Sequence, residues 1–359
     1  MAMKKTVQQK PKSLADLAVT QTWSEEELFQ QLTAEGLMTD FQKLSEELQK
    51  DFVEFCTGQK GLNVRTDPMF KWVFDPIVHP ERLEDFLGLL LKRKVKILKV
   101  LPNESRRLTE DSSLLIMDML VQLEDGELVN VEIQRVGYLF PGERVSCYLS
   151  DLLMRQYAQL KDQRRQENVK FSYKDIKKVY SIVLIENSIK AFREYPNEYL
   201  HYGKMTFDTG LKLDMPQECL MIPLDIFMKN HQNISNKLEA WLYFIASDKL
   251  EDIHKVIEAC PEFQELYEEI FQFRYHMREL IGMYSEALSI LDANTVKYMV
   301  EQQQEELERQ QKALEEKDKA LEDKDKKLEE KDKKLEEKDA AIESQRKIIE
   351  ELRAQTSSR

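Results

Sequence analysis

Hydrophobic residues recur at helical spacing over the first part of the chain and predict several amphipathic helices. In residues 22–56 Leu, Phe and Val follow this spacing, and Ser24 is a typical N-cap residue ahead of three glutamates. The dipeptide Asp67-Pro68 predicts the start of another helix, with Asp67 as its cap and Pro68 at its first position. Apolar residues at i, i+3 and i+4 predict a further helix over 81–93.

The central part of the chain changes to the shorter apolar runs that are typical of strands. Strands are predicted over 95–101, 113–123, 128–136, 177–187 and 219–227, with an amphipathic helix over 142–163 and helices throughout 235–300. Through residues 81–187 the elements therefore follow the order α-β-β-β-α-β. This order predicts an α/β fold with a mixed central sheet flanked by helices.

The sequence LEDGE, which begins at Leu123, predicts a tight turn between the second and third strands. As a three-residue loop it is a type I turn with Gly126 in the left-handed region. Leu123 then pairs with Glu127, and this register sets Asp118 directly opposite Glu132 on one face. A two-residue Asp-Gly loop would move Asp118 to the other face, so the prediction depends on the loop length.

Two carboxylates at directly opposite positions of a sheet repel each other, at a cost of up to roughly 1 kcal/mol. A divalent cation between Asp118 and Glu132 would remove that cost, since Mg²⁺ takes carboxylate, water and phosphate oxygens as ligands. Gln134 lies on the same face, because side chains alternate with period two. The pattern indicates either a metal site for phosphodiester chemistry or two acids that form ion pairs or face solvent.

Charge and composition narrow the classes of function. The chain of 359 residues has a formal net charge of −13, which counts against nucleic-acid binding, although basic clusters occur at 91–99 and 161–165. Its four cysteines lack the spacing of a zinc ribbon or a disulfide framework. Because no apolar run approaches the length of a membrane span and the N-terminus has no apolar signal region, we expect a cytoplasmic protein without a membrane partner.

A seven-residue repeat dominates residues 301–359. Its apolar positions are Val300, Leu307, Leu314, Leu321, Leu328, Leu335, Ile342 and Ile349. A stable coiled coil needs apolar residues at two positions of each repeat, but the second position here is mostly Asp or Lys. Glu-Lys pairs four residues apart instead favour a solvated helix. The repeat predicts one long charged helix over 300–350, either as a weak homodimer or as a lone helix.

Several motifs in the chain follow one another in a recognisable order. They are Asp-x-x-Phe-Lys from Asp67 to Lys71, FLGLLL from Phe86, Asp118 with the hairpin and VEIQ from Val131, and Arg144, Tyr148 and Ser150 in the next helix. Over roughly residues 64–230 the chain resembles the PD-(D/E)XK nuclease superfamily, and within it the bacterial branch of recombination-promoting nucleases and transposases. The resemblance implies a restriction-endonuclease-like α-β-β-β-α-β core that acts on DNA.

The resemblance also implies roles for individual residues. Asp118 and Glu132 would hold Mg²⁺ or Mn²⁺, with the backbone carbonyl of Ile133 as a third protein ligand. Gln134 stands where the superfamily usually has Lys; an amide can orient water but carries no charge and cannot act as a base. Met117 stands where the superfamily has Pro, which is a chemically minor change.

The same resemblance extends the catalytic site to the neighbouring helices. Asp67 and Lys71 would join it from the preceding helix, although Asp67 is equally suited to a plain N-cap role. Arg144, Tyr148 and Gln156 share one face of the following helix, which would either contact phosphate or form an ordinary solvated surface. Three further acids have no feature that separates them from surface charge: Glu81, Glu84 and Asp85.

These patterns divide the chain into four predicted parts. They are a disordered and helical segment (1–63), a nuclease-like domain (64–234), a helical region (235–300) and a charged helix (301–359). The expected function is that of a metal-dependent DNA endonuclease of the recombination-promoting type. The alternative is a catalytically degenerate nuclease fold that acts as an interaction protein.

Overall fold

The computed structural model describes residues 22–102, 118–134 and 141–357. The predicted disorder of residues 1–20 and the outer ends of two predicted strands, 113–117 and 135–136, lie outside these ranges. The described chain forms a six-stranded mixed sheet flanked by helices, which confirms the predicted α/β class.

Three helices form the N-terminal part of the described chain: α1 (Glu25–Ala34), α2 (Met38–Lys43) and α3 (Glu46–Cys56). Ser24 caps α1 as predicted. Its hydroxyl accepts a hydrogen bond from the backbone N–H of Glu27, and the Glu27 carboxylate accepts one from the backbone N–H of Ser24. This reciprocal capping box satisfies two N–H groups that would otherwise lack partners at the helix start.

Helix α4 (Asp67–Val73) begins one residue earlier than the sequence predicts. Thr66 is its N-cap, and Asp67 already lies in the helix, with Pro68 in the first turn. The predicted N-cap role of Asp67 is therefore wrong. Proline fits the first turn because its missing N–H needs no partner there. The shift leaves the Asp67 carboxylate to interact with other side chains.

Helix α5 (Pro80–Leu91) leads into the sheet, and α6 (Pro141–Gln166) joins its third and fourth strands. The strands are β1 (Ile97–Val100), β2 (Met119–Leu123), β3 (Leu128–Gln134), β4 (Val179–Ile185), β5 (His201–Lys204) and β6 (Gln217–Pro223). Their order across the sheet is β1-β2-β3-β4-β6-β5. The β3–β4 and β4–β6 pairs are parallel and the others antiparallel. The predicted α-β-β-β-α-β order is confirmed.

The region after β4 differs from the sequence prediction. β6 ends at Pro223, and the rest of the predicted strand over 219–227 forms helix α8 (Leu224–Asn230). Helix α7 (Lys190–Arg193) and strand β5 were not predicted. Elements of four residues are too short for a hydrophobic period to identify them.

The β2–β3 hairpin has the predicted register. Met119 pairs with Val131, and at the turn the backbone N–H of Leu123 donates to the carbonyl of Glu127 at 2.9 Å. Gly126 has a φ of +90°, in the region that favours glycine. Both the three-residue turn and the positive φ are therefore confirmed.

The two faces of the sheet enter different cores. Odd-numbered residues of β3, such as Val129, pack with the N-terminal helices and with helices that follow the sheet. Even-numbered residues face α6, where Leu128 shares a smaller core with Tyr148 and Leu152. Because side chains alternate along a strand, Glu132 also lies on the α6 face.

The part of the chain after the sheet is helical, as predicted: α9 (Lys237–Ala246), α10 (Leu250–Ala259), α11 (Phe263–Gln272) and α12 (Met277–Ser357). Contacts divide the chain into two compact units, residues 1–294 and 295–359. The domain boundaries expected from the sequence stay predictions.

The predicted helix over 300–350 is confirmed as part of α12. Its repeated apolar side chains are between 51% and 62% exposed: Leu307, Leu314, Leu321, Leu328, Leu335 and Ile342. In the described part of the chain, no helix is long and apolar enough to cross a membrane.

Gly126→Ala is expected to lower the free energy of unfolding by about 1–2 kcal/mol, because a φ of +90° strains any residue with a Cβ. A Cβ at this position meets the Cγ of Lys177 at 3.5 Å, an ordinary contact, so the loss reports the backbone alone. Gly142→Ala in α6 is the control, since no atom of the described residues beyond its chain neighbours lies within 4 Å of its Cβ position. Urea unfolding followed by circular dichroism measures both. Equal urea midpoints for Gly126→Ala and Gly142→Ala would contradict the turn geometry.

Candidate functional site

Asp118 and Glu132 lie opposite each other at one end of the β2–β3 hairpin, one step beyond the last pair of the ladder. The hydrogen bond between Leu123 and Glu127 assigns the hydrogen-bonded pairs to odd-numbered residues. Asp118 and Glu132 therefore form a non-hydrogen-bonded pair, in which Cα atoms approach to about 4.5 Å. One oxygen of Asp118 accepts a hydrogen bond from the backbone N–H of Ile133 at 3.0 Å, which fixes it beside the end of β3.

Glu132 is buried, and three donors point at one of its two carboxylate oxygens. Oε1 accepts hydrogen bonds from the Tyr148 hydroxyl (3.0 Å), Gln134 Nε2 (3.2 Å) and the Arg144 guanidinium (3.3 Å). The other oxygen, Oε2, is buried and has no hydrogen-bond partner among the described residues. An unsatisfied carboxylate oxygen in the interior is costly, so the arrangement leaves one oxygen for a further ligand.

Both acids hold protons more tightly than exposed carboxyls do. Burial raises the pKa of Asp118 well above its usual range, and the charges of Glu132 and Asp67 raise it further, against the opposing charge of Lys71. Burial also raises the pKa of Glu132, although the Arg144 charge and the hydrogen bonds to Oε1 act against this. Burial is thus the largest cause of both pKa shifts.

Helix α4 brings Asp67 and Lys71 into the same cluster. The Lys71 ammonium lies 2.7 Å from Oδ2 of Asp67 and also interacts with the charge of Asp118. Burial lowers the pKa of Lys71, but the neighbouring carboxylates outweigh this effect and raise the pKa, so Lys71 stays protonated. Oδ1 of Asp67 is buried and, like Oε2 of Glu132, has no hydrogen-bond partner within the described ranges.

Gln156 does not join the cluster, although it shares a helix face with Tyr148 in the sequence. Its amide lies at the other end of the hairpin, where it donates to the carbonyl of Gly126 (3.0 Å) and accepts from the N–H of Lys177 (2.8 Å). The interpretation of Gln156 as a phosphate contact is therefore corrected. Two backbone groups occupy both ends of its amide, and it holds the turn against the start of β4.

Two of the three candidate acids of α5 form hydrogen bonds outside the cluster. Glu84 accepts a hydrogen bond from the backbone N–H of Ile97 at the start of β1 (2.9 Å). Asp85 accepts one from the indole of Trp241 in α9 (2.7 Å). These contacts fasten α5 to its neighbours, so the two acids serve packing.

A charged pair next to the cluster was not predicted from the sequence. Arg65 pairs with Glu186 at 3.1 Å, and the backbone N–H of Glu186 donates to the carbonyl of Gln134 at 2.8 Å. Because Arg65 precedes Asp67 by two residues, the pair ties the start of α4 to the carboxyl ends of β3 and β4. The signal in the sequence was an acid placed directly after the buried run VYSIVLI.

The cluster fits a hard divalent cation. Asp67, Asp118 and Glu132 oppose the positive charges of Lys71 and Arg144, which leaves a net formal charge of −1. Two of its buried carboxylate oxygens have no hydrogen-bond partner among the described residues, and such oxygens are ligands of the kind that Mg²⁺ and Mn²⁺ prefer. Among the described residues, no group of three or more His, Cys, Asp or Glu is placed to hold a metal ion. A cation here would therefore take other ligands from backbone, water or substrate.

Asp118→Asn is expected to stabilise the metal-free protein at pH 8 by about 1 kcal/mol, because it removes the repulsion between Asp118 and Glu132. A carboxyl with a raised folded pKa contributes its full stability below the unfolded pKa, and this is lost as the pH rises through the folded value. The advantage of the variant should therefore shrink towards pH 4. Urea unfolding in EDTA across this pH range measures it.

The matched control for this measurement is Asp175→Asn. Its hydrogen bonds with Arg164 hold the pKa of Asp175 below the usual range, so its contribution is present above the unfolded pKa and lost as the pH falls. This variant should be destabilised at pH 8, with the opposite sign. An Asp118→Asn protein that is less stable than wild type at pH 8 would show that the two site acids do not repel.

Comparison with known proteins places this cluster in a family. The chain matches the family described as PD-(D/E)XK nuclease family transposase over residues 64–297, which is 234 of its 359 residues. The match covers the complete sheet and every charged residue of the cluster, and nucleases of this family generally use divalent metal ions. Neither the curated proteins nor the solved structures gave a match. On the extent of the family match, this chain belongs to the PD-(D/E)XK nuclease family transposases.

Proposed function

We propose that this chain is a divalent-metal-dependent endonuclease of the recombination-promoting type, which hydrolyses phosphodiester bonds in DNA. The observation that carries the proposal is Oε2 of Glu132, which is buried, has no partner among the described residues and lies on the hairpin face that holds Asp118. Three donors occupy Oε1, so Oε2 is the oxygen left for a cation. Membership of the family supports a nuclease-type function.

In this proposal Asp118, Glu132 and the backbone carbonyl of Ile133 hold Mg²⁺ or Mn²⁺. The N–H of Ile133 points towards Asp118, and the carbonyl of a strand residue points to the same neighbouring strand as its N–H. The carbonyl is thus directed to the side on which the two carboxylates meet. When bound, the cation polarises the scissile phosphate and offsets its negative charge.

The side chains around the acids supply positioning. Tyr148 and Arg144 hold Glu132 by its Oε1, and the Arg144 side chain, 30% exposed, has room to meet a phosphate oxygen as well. Oε1 of Gln134 is buried without a hydrogen-bond partner in the described chain. It can accept a hydrogen bond from the attacking water and orient it, but an amide takes no proton.

Lys71 supplies the positive charge that Gln134 lacks. In the superfamily the usual Lys at the position of Gln134 offsets charge at the phosphate. Here Lys71 approaches Asp118 from α4, and its raised pKa keeps it protonated over the working pH range. We assign it the stabilisation of negative charge that develops on the phosphate during hydrolysis.

Asp118→Ala is expected to abolish nicking of supercoiled plasmid in Mg²⁺ or Mn²⁺, while the protein remains folded. The reason is the loss of one of two carboxylate ligands. Wild type, the alanine variant and Asp40→Ala as a surface control are compared with each metal and in EDTA. Equal nicking by wild type and Asp118→Ala would place the site elsewhere. No nicking by wild type with either metal would favour the alternative, a degenerate nuclease fold that acts as an interaction protein.

Lys71→Gln is expected to lower kcat by about 100-fold, with a smaller effect on KM, because the charge acts mainly in the transition state. Adding Gln134→Lys should restore part of the lost kcat, since it returns a cation to the same phosphate. Lys255→Gln is the control, because Lys255 forms a similar helical pair with Asp252 outside the cluster. A double variant no better than Lys71→Gln would contradict the exchange of roles between positions 71 and 134.

For residues 300–350, a weak homodimer and a lone helix both remain proposals. The exposed apolar stripe of α12 supports self-association, and the charged residues at the second position of each repeat oppose it.

A further inference from the structure

Positive charge is concentrated at the end of α6 and in the segment that leads to β4. Residues 161–178 contain seven Lys and Arg against three Asp and Glu, a net formal charge of +4 in a chain whose total is −13. Two of the three acids pair with Arg164 of the same segment. Arg164 donates two hydrogen bonds of 3.0 Å to Asp175 and one of 3.2 Å to Glu167. Because Lys178 pairs with Glu218 outside the segment, the surplus positive charge belongs to the other lysines and arginines.

Four cations of this segment have no carboxylate partner among the described residues: Lys161, Arg165, Lys170 and Lys174. All four are exposed, and in the described chain none of them forms an ion pair with an acid. Uncompensated cations on an acidic protein mark a surface for an anionic partner, because the rest of the molecule repels one.

Three aromatic rings stand among these cations. Phe171 packs edge-on against Tyr157 (centroids 5.2 Å apart) and against Tyr173 (5.3 Å), while the rings of Tyr157 and Tyr173 are nearly parallel, at 17°. Tyr173 is nevertheless 76% exposed, and the Lys161 ammonium lies 5.4 Å from the centre of the Tyr157 ring. The rings hold one another in place, so Tyr173 presents a flat face to solvent at little cost in conformational entropy.

The backbone under Tyr173 is also fixed. Ser172 and Asp175 form a capping box around a single 3-10 turn, and the bidentate contact of Arg164 clamps the same Asp175. We name the surface formed by Tyr173 and the four exposed cations the basic–aromatic patch. In this patch the aromatic neighbours hold the ring of Tyr173, and the hydrogen bonds of Asp175 hold the backbone of the turn.

We propose that the basic–aromatic patch binds single-stranded nucleic acid, with a base stacked on Tyr173 and phosphates held by Lys161, Arg165, Lys170 and Lys174. Aromatic rings among basic side chains are the usual means of holding an unpaired strand, since every base has a face that can stack. The choice of nucleic acid as the ligand rests on the proposed function.

The patch lies apart from the carboxylate cluster on the same helix. Tyr148 and Lys161 are 13 positions apart in α6, which corresponds to about 20 Å along the axis. The patch therefore anchors a strand that enters the cluster about that far away, so a substrate with an unpaired flank gains affinity from it.

The test is binding of a fluorescein-labelled oligothymidine of roughly 15 nucleotides to the full-length protein in EDTA, followed by anisotropy. Tyr173→Ala should weaken binding on the order of 10-fold, whereas Tyr173→Phe should bind like wild type, because stacking needs the ring and not the hydroxyl. Lys174→Glu should also weaken binding and reduce the slope of log K against log salt by about 0.7 for each lost phosphate contact.

Two variants serve as matched controls. Tyr195→Ala removes another exposed tyrosine, 59% exposed, and Lys312→Glu reverses an exposed charge on α12. Neither should change the affinity. Unchanged binding by Tyr173→Ala, or equal losses in the controls, would overturn the proposal. Binding to phosphatidylserine-rich vesicles in place of the oligonucleotide would overturn it too, in favour of a lipid surface.

Failure of this inference is distinguishable from failure of the proposed nuclease function. Asp118→Ala should bind the oligonucleotide as wild type does, since the cluster is remote from the patch. Tyr173→Ala should raise KM for a substrate with a single-stranded flank and leave kcat unchanged. A plasmid that is never nicked, together with Tyr173-dependent binding, would reject the nuclease and keep the patch. Nicking by wild type, together with equal binding by wild type and Tyr173→Ala, would reject the patch and keep the nuclease.

Discussion

The burial of the Glu132 carboxylate is the constraint on which the arrangement of the site depends. A carboxylate taken out of water needs donors, and here they come from two elements: Gln134 from the same strand, and Tyr148 and Arg144 from α6. The helix must therefore lie in one rotation over the sheet, with its first turns above the end of β3. The hairpin must keep one register, because a slip by one residue would turn Glu132 to the other face.

The parts of this arrangement that follow from local chemistry were predictable. The turn LEDGE sets its own loop length through glycine, and the loop length sets the register down to Asp118 and Glu132. The hydrophobic periodicity of α6 and α12 and the β-branched run of β4 likewise identify these elements without reference to distant segments. The motifs around these elements were enough to indicate the family.

The parts that failed depend on contacts between distant segments. The sequence around Asp67 fits a helix cap at either of two neighbouring positions, and only the approach of α4 to Asp118 shows what its carboxylate does. Gln156 looks like a surface residue until the turn at Gly126 is placed against it. Arg65 and Glu186 are 121 positions apart, and no local pattern links them. Net charge likewise averages over the whole chain, so a total of −13 does not report the local surplus of positive charge at 161–178.

The saturation of one Glu132 oxygen also bears on the kind of ion that the proposed metal site would take. With three donors at Oε1, Glu132 would offer a cation one oxygen only. Small octahedral ions such as Mg²⁺ are served well by single carboxylate oxygens together with water, whereas Ca²⁺ prefers more ligands and often takes both oxygens of a carboxylate. Under the proposed function, Tyr148, Gln134 and Arg144 would therefore select for ionic radius without touching the ion.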